Sequence, residues 1–300
     1  MNKIKLWLSA FRLRTLPLSL SGIIVGSSMA YFNGAFDVLI FSLAVLTTIS
    51  FQVLSNLAND YGDGVKGTDG EDRIGPKRAI QSGLISPKEM LKGIKINVLI
   101  CIVLAFSLIY SAFGSEYFLY TIIFFVLAGL SIYAAINYTM GTSAYGYKGL
   151  GDIFVFVFFG LVSVVGSYFL YVKEFDHLVI MPAIAVGFLS MGVLNLNNMR
   201  DRESDIEARK ITLAVRLGKS KSKAYHFILI LGAMLLGVIF EILYFKSFYN
   251  LLFLLSYIPL IKHLITVYKT DNPKDFDPQL KVLSLSTFLF AILLGLGYIL

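Results

Sequence analysis

Apolar side chains in this chain form long runs, which short stretches rich in Lys, Arg, Gly and Asp separate. A helix needs about 20 predominantly apolar residues to cross the hydrocarbon core of a bilayer. The pattern therefore favours an all-α polytopic membrane protein, a bundle of nine transmembrane helices around a central cavity. The nine runs that meet or approach this length are 16–32, 38–57, 91–113, 118–138, 153–171, 178–196, 224–245, 249–268 and 282–300.

The basic residues predict how this bundle is oriented. If the N-terminus is cytoplasmic, nine crossings place all 26 Lys and Arg residues except Lys173 and Lys246 on the cytoplasmic side. Such an excess is typical of cytoplasmic loops in membrane proteins. We therefore expect a cytoplasmic N-terminus, an outside C-terminus, and a multi-pass protein of the inner (cytoplasmic) membrane of the cell, so that any active site formed by the basic loops would face the cytoplasm.

The composition excludes the soluble classes of protein. Hydrophobic residues make up 57% of the chain, charged residues 15%, and the mean hydropathy is +0.75, which is more apolar surface than a soluble protein of this size could bury. The net charge of +7 follows from membrane orientation, so no nucleic-acid partner is expected. The single cysteine, Cys101, provides no disulfide framework. The histidines, His177, His226 and His263, are scattered along the sequence and show no metal-binding spacing.

A faint internal repeat divides the chain. Asn59 and Asp63 close the second apolar run, and Asn197 and Asp201 close the sixth. Both runs cross in the same direction and lead into a long basic loop, which is typical of a parallel repeat. The predicted organisation is one membrane-embedded domain, 1–300, with pseudo-repeated four-helix halves at about 15–138 and 153–268 and a final helix.

The two equivalent run ends carry the polar residues that indicate chemistry. Residues four apart share a helix face, so each run delivers a column of oxygen ligands to its cytoplasmic end. Stacked carboxylates repel each other by a few tenths of a kcal/mol per pair, and a bound divalent cation would offset this. Oxygen ligands suit Mg²⁺, which also binds phosphate oxygens. The predicted metal ligands around a diphosphate are Asn59, Asp60, Asp63, Asn197, Asp201 and Asp205, of which Asp63 and Asp201 are the predicted catalytic members.

Basic side chains accompany both columns and could neutralise the remaining charge of a diphosphate. Taken alone, most of these bases are typical topology signals. Lys148 differs, because it is the only base in its short loop, and we predict a catalytic role for it. The predicted diphosphate-binding residues are Lys66, Arg73, Lys77, Arg78, Lys148 and Lys210.

These motifs together resemble the UbiA superfamily of intramembrane prenyltransferases, whose members carry two aspartate-rich motifs on cytoplasmic helix ends. More narrowly, they resemble the superfamily members that prenylate 1,4-dihydroxy-2-naphthoate in menaquinone biosynthesis. One departure is Gly67, which stands where many members have the last aspartate of the first motif, so that Asp60 or Asp69 would supply that ligand. The stretches that carry the resemblance are 12–17, 56–63, 67–69, 73–78, 147–152 and 195–218.

The resemblance implies a reaction and its partners. A polyprenyl chain would pass from polyprenyl diphosphate to 1,4-dihydroxy-2-naphthoate, with Mg²⁺ as cofactor and loss of CO₂, to give demethylmenaquinol inside the lipid bilayer. Arg12, Asp69 and Tyr147 are the candidates for binding the acceptor.

Two alternatives stay open at this point. The first is a prenyltransferase for another aromatic acceptor, such as 4-hydroxybenzoate. The second is a membrane transporter, which would place ionisable residues near the bilayer midplane. The apolar runs of this chain are nearly free of charge, with Glu241 as the clearest exception, so the pattern favours the enzyme.

Overall fold

The computed structural model describes residues 3–68, 74–75, 77–142 and 144–300, and every regular element within them is helical. In these residues nine helices are long and apolar enough to cross a membrane, which confirms the predicted all-α, multi-pass architecture. A 3₁₀ segment, Phe248–Ser256, precedes the eighth membrane helix and belongs to the same crossing. The elements are α1 (Lys3–Phe11), α2 (Leu16–Phe32), α3 (Val38–Lys66), α4 (Pro87–Phe113), α5 (Phe118–Asn137), α6 (Gly151–Val172), α7 (Ile180–Arg200), α8 (Arg202–Glu207), α9 (Leu213–Tyr244), α10 (Tyr257–Lys269) and α11 (Phe276–Ile299).

Helix α3 continues well past the apolar run that predicts it, which ends at residue 57. It begins after Asp37, whose Oδ1 accepts hydrogen bonds from the amides of Leu39 (2.7 Å) and Ile40 (3.0 Å). It ends at Gly67, which has a left-handed conformation (φ 73°) that glycine adopts without strain. The extension is possible because its polar side chains face other protein groups, not lipid, and the whole first motif therefore lies on α3.

The second motif lies across a break between two helices. The sequence predicts one helical face for its three ligands, but α7 ends at Arg200 and α8 begins at Arg202. The amide of Asp201 still donates to the carbonyl of Asn197 (3.0 Å), and the amide of Asp205 donates to the carbonyl of Asp201 (2.9 Å). The four-residue spacing of the column is therefore kept although the helix is not continuous.

The two larger of three clusters of buried apolar side chains hold most of the bundle together. The larger one joins α2, α7 and α11 through side chains such as Met29, Leu189 and Phe290, each at most 1% exposed. The smaller one joins α3 and α4 through Leu54 and Met90. In contrast, every apolar side chain of α5 except Ala134 is at least partly exposed, as in a helix that faces lipid.

Helix α6 contains an unusual π-helical segment, Phe156–Gly166. The segment packs closely on α7, because a Cβ on Gly160 would lie 2.8 Å from the Cα of Gly187. Such wide turns often occur at functional sites. Here the segment turns Phe158 and Phe159 toward the interior cavity.

Membrane orientation and the repeat of two four-helix halves stay predictions.

Candidate active site

A cavity of about 860 Å³ lies inside the bundle, lined by residues from α1 to α7, α11 and the loops between them. Its apolar wall comes from the middle of the helices and includes Phe124, Phe158 and Phe159. Its polar wall comes from the region where α3 and α7 end and α11 begins. The charged and amide side chains of that wall are Arg12, Arg14, Gln52, Asn56, Asn59, Asp60, Lys77, Arg78, Asn197, Arg200, Asp277 and Lys281.

The first motif is organised around Asp63, which is only 1% exposed. Its Oδ2 accepts a hydrogen bond from Nη1 of Arg78 (2.6 Å), and its Oδ1 accepts one from the hydroxyl of Tyr147 (2.8 Å). The same Nη1 donates to the backbone oxygen (3.2 Å) and to Oδ1 (3.4 Å) of Asn59. Asn59 and Asp63 therefore share a face, as the spacing predicts, and Arg78 connects them.

Asp60 holds the loop that carries Arg78. Its carboxylate accepts hydrogen bonds from the backbone amides of Ala79 (3.1 Å) and Ile80 (3.4 Å). Asp60 also lines the cavity, although it is 1% exposed. The structure thus gives this residue a clear role in building the loop, and its role as a metal ligand stays a prediction.

The second motif is organised around a buried arginine that the sequence analysis did not select. Arg200 is 3% exposed, and its guanidinium binds Asp201 through both Nε (2.7 Å) and Nη2 (2.6 Å). Nη2 also donates to Oδ1 of Asn197 (2.9 Å), and Nη1 donates to Oδ1 of Asp277 on α11 (2.5 Å). Asn197 and Asp201 are therefore brought together by Arg200.

Lys210 lies between the two motifs. Its Nζ is 3.6 Å from Oδ1 of Asp205 and 5.5 Å from the ring centroid of Tyr147, whose hydroxyl binds Asp63. Burial alone would lower the pKa of Lys210, but the negative charges of Asp63 and Asp205 outweigh burial and hold that pKa above its ordinary value. Lys210 is therefore cationic at neutral pH. The two acidic columns thus face a shared cation.

One carboxylate oxygen of Asp205, Oδ2, is buried and has no hydrogen-bond partner. Burial raises the pKa of this carboxyl to about 6, against the opposing effect of Lys210. A buried oxygen without a partner costs free energy, which a bound cation could recover.

Three other predicted residues have different surroundings. Lys66 donates to the backbone oxygen of Thr139 (2.7 Å) and lies 4.3 Å from the ring centroid of Tyr147, away from the cavity wall. The side chain of Lys148 is exposed and does not line the cavity, while its backbone oxygen accepts a hydrogen bond from Arg216 (2.7 Å). Lys77 lines the cavity.

The residues predicted to bind the acceptor also differ in their surroundings. Arg12 lines the cavity, whereas the hydroxyl of Tyr147 is shared between Asp63 and Thr68 Oγ1 (2.6 Å). Asp69 and the predicted diphosphate ligand Arg73 lie outside the described residues.

A polar network in the cavity wall was also missed. Nε2 of Gln52 and Nδ2 of Asn56 each donate to Oγ1 of Thr15 (3.1 Å), and the hydroxyl of Ser19 donates to Oε1 of Gln52 (2.6 Å). The spacing of Gln52 and Asn56 offered a signal, because polar residues one turn apart in a membrane helix usually face the bundle interior. Nothing comparable marks Asp277.

Two of the histidines that are scattered along the sequence meet in the fold. Nε2 of His226 and Nε2 of His263 are 2.8 Å apart, and Nδ1 of His263 is 2.8 Å from Oε1 of Gln279. This buried chain of contacts connects α9, α10 and α11. Among the described residues, no three His, Cys, Asp or Glu side chains lie close enough together to hold a metal ion, and this includes the aspartates of the two acidic motifs.

Comparisons with known proteins agree with this architecture. The model of the UbiA prenyltransferase family matches residues 19–298. The chain is 45% identical to a 1,4-dihydroxy-2-naphthoate octaprenyltransferase of Haemophilus influenzae over 99% of this chain and 96% of the relative. It is 41% identical to the Escherichia coli enzyme of the same name, again over 99% of this chain and 96% of the relative.

Solved structures show the same fold. A UbiA homologue from Aeropyrum pernix, in its apo form, aligns with a TM-score of 0.71 at 14% identity, covering 95% of this chain and 97% of the homologue. A UbiA homologue from Archaeoglobus fulgidus, bound to GPP and Mg²⁺, aligns with a TM-score of 0.69 at 17% identity, covering 98% and 99%. On the match over nearly its whole length, this chain belongs to the UbiA prenyltransferase family.

Proposed function

We propose that this protein transfers a polyprenyl chain from polyprenyl diphosphate to 1,4-dihydroxy-2-naphthoate, with loss of CO₂, in menaquinone biosynthesis. Two relatives named for this acceptor, at 45% and 41% identity over nearly the whole chain, support this acceptor over 4-hydroxybenzoate. Membership of a prenyltransferase family favours bond formation over transport.

The observation that carries the proposal is the division of one cavity into two chemical environments. Asn59 and Asp60 of the first motif and Asn197 of the second line its polar wall together with Arg78 and Arg200, while aromatic and aliphatic side chains form the rest. A prenyl diphosphate has the same division into an anionic head and an apolar tail. The donor would therefore lie with its diphosphate between the motifs and its tail along the bundle interior.

The side chains of the two motifs fit Mg²⁺ as a cofactor. All are hard oxygen donors, as Mg²⁺ prefers, and Asp205 Oδ2 is a buried oxygen that lacks a partner. Asn59, Asp63, Asn197, Asp201 and Asp205 would hold the ion, and Asp60 is a further candidate. Bound Mg²⁺ would neutralise charge on the diphosphate and so make it a better leaving group. The archaeal homologue bound to GPP and Mg²⁺ supports this assignment.

The cations of the chain would change partners when the donor binds. Without substrate, Arg78 and Arg200 neutralise Asp63 and Asp201. A diphosphate offers stronger acceptors, so the guanidinium of Arg78 would turn toward the phosphate oxygens, and carboxylate oxygens of both motifs would become available to the metal. Lys77 and Lys210 would add positive charge, and Lys66, Arg73 and Lys148 remain further candidates.

The apolar wall would protect the reactive end of the prenyl group. Loss of diphosphate leaves an allylic cation, which water would quench, so the site must stay dry. Phe158 and Phe159 on the π-helical segment present aromatic side chains to the cavity, and aromatic faces attract cations.

The acceptor would enter near the loop between α1 and α2. Arg12 and Arg14 line the cavity there, and an arginine can bind a carboxylate such as that of the naphthoate. Asp69 and Tyr147 remain acceptor candidates from the sequence. We further propose that this end of the bundle faces the cytoplasm, because it carries most of the basic loops.

A competition between acceptors tests the proposal. Purified protein would receive one polyprenyl diphosphate, Mg²⁺, and equal amounts of 1,4-dihydroxy-2-naphthoate and 4-hydroxybenzoate. We expect pyrophosphate release and a prenylated, decarboxylated naphthalene product in the mass spectrum. Prenylated 4-hydroxybenzoate as the main product would overturn the acceptor, and vesicle uptake of substrate without bond cleavage would support a transporter instead.

A further inference from the structure

We propose that Asp277, in the first turn of α11, is a positioning residue for the second acidic motif. Its role would be to share the guanidinium of Arg200 with Asp201, which fixes the guanidinium and keeps the motif negatively charged toward the cavity. This inference rests on the proposed function, because it concerns how the motif receives the metal and the diphosphate.

The contacts place Asp277 directly in the network. Its Oδ1 accepts a hydrogen bond from Nη1 of Arg200 at 2.5 Å, on the opposite side of the guanidinium from Nε, which binds Asp201. Asp277, Arg200 and Asn197 all line the cavity. The side chain of Asp277 is 35% exposed, compared with 2% for that of Arg200, so the carboxylate is the more accessible of the two groups.

Asp277 also affects the net charge of the second acidic motif. Arg200 alone would cancel the charge of Asp201, and Lys210 stands beside Asp205. With only these two pairs, the motif would carry no net charge, and a divalent cation would gain little by approaching it. The carboxylate of Asp277 adds one negative charge to these two pairs, and Lys281, one turn further along α11, lines the same cavity.

Geometry adds a second reason. A guanidinium is a flat, rigid fork, so contacts at Nε, Nη1 and Nη2 fix its plane as well as its position. Nε and Nη2 bind Asp201, and Nη1 binds Asp277. With Nη1 anchored on α11, Arg200 can release Asp201 to the metal without leaving its own charge unpaired.

Three variants of the full chain, purified in detergent, test this role. Asp277→Asn removes the charge and keeps the shape, and Asp277→Glu restores the charge. Asp275→Asn is the matched control, because Asp275 is exposed, lies two residues away and does not line the cavity. Each variant is titrated with Mg²⁺ in the presence of geranyl S-thiolodiphosphate, a donor analogue that does not release its diphosphate group. The measured quantity is the Mg²⁺ concentration at which the rise in melting temperature reaches half of its maximum.

We expect the Mg²⁺ midpoint of Asp277→Asn to be about tenfold higher than that of the unmodified chain. The midpoints of Asp277→Glu and Asp275→Asn should stay within about twofold of it. All three variants should have similar melting temperatures before ligand is added. In turnover, Asp277→Asn should show the same shift in Mg²⁺ dependence with an unchanged KM for the acceptor. An unchanged Mg²⁺ midpoint in Asp277→Asn, or equal loss in Asp277→Glu, would overturn the proposal. The stabilisation assay uses no acceptor, so this result is independent of which aromatic compound is prenylated.

Discussion

The two acidic motifs end equivalent helices, yet their partners come from very different distances along the chain. The first motif is completed by the loop that follows it, through the guanidinium of Arg78 and the backbone amides of Ala79 and Ile80. The second motif is completed by Arg200 from its own helix and by Asp277 from the last helix. The first motif is therefore largely local, whereas the second depends on how α7 packs against α11.

This difference has a functional consequence. The cation of the first motif stands on a loop that hydrogen bonds to Asp60 and Asp63 hold against α3, so its position depends on those bonds and not on helix packing. The second motif has its cation fixed on a buried helix and shares it between two carboxylates. We infer that the first motif adapts to the bound diphosphate, whereas the second motif stays fixed and sets the orientation of the diphosphate.

The largest effect is expected from removing one central carboxylate of either motif. Asp63→Ala and Asp201→Ala should each lower kcat by about 10³-fold or more, because each removes stabilisation of the charge that develops on the leaving diphosphate. Pyrophosphate release by the purified variants measures this. Activity within tenfold of the unmodified chain, at an unchanged melting temperature, would remove that aspartate from the site.

Replacing Arg78 or Arg200 by lysine should lower the activity to a different degree in each motif. Arg200→Lys should lower kcat/KM for the donor by about 10²-fold, since lysine lacks the planar fork that binds Asp201 through two nitrogens and Asp277 through a third. The contacts of Arg78 with Asn59 and Asp63 all come from Nη1, so Arg78→Lys should cost only about tenfold. Equal losses in the two variants would contradict the contrast between an adaptable and a fixed motif.

A smaller effect is expected at Asp60. Asp60→Asn should lower the free energy of unfolding by about 1 kcal/mol, because the amide replaces one of the two carboxylate oxygens that accept from Ala79 and Ile80. The Mg²⁺ midpoint of donor-analogue stabilisation should stay within about twofold. A tenfold rise in that midpoint would instead identify Asp60 as a direct metal ligand.

The smallest effect is expected from Tyr147→Phe. The change removes a hydroxyl that binds Asp63 and Thr68, and loss of one such hydrogen bond, about 1 kcal/mol, corresponds to roughly a fivefold fall in kcat/KM for the donor. Steady-state kinetics with each substrate varied in turn provide the measurement. A selective rise in KM for the acceptor would instead support the prediction that Tyr147 contacts the acceptor.

The sequence allowed the first motif to be predicted more completely than the second. The spacing of Asn59 and Asp63, together with Arg78 shortly after them, contained most of the observed cluster. Arg200 stands inside the second motif, but its neighbours in sequence gave no sign that it is buried. Lys148 was selected because it is the only basic residue in its loop. That observation does not show where the side chain lies, and the side chain is in fact exposed.

The sequence by itself determined the nine membrane helices and the columns of oxygen ligands at their ends, because hydrophobic length and four-residue spacing are local properties of one helix. Only the tertiary structure decided that Asp277 meets Arg200, that Lys210 lies between the two motifs and that His226 contacts His263. Each of these contacts joins residues far apart in the chain, and their approach depends on how helices pack, which no local pattern of residues records.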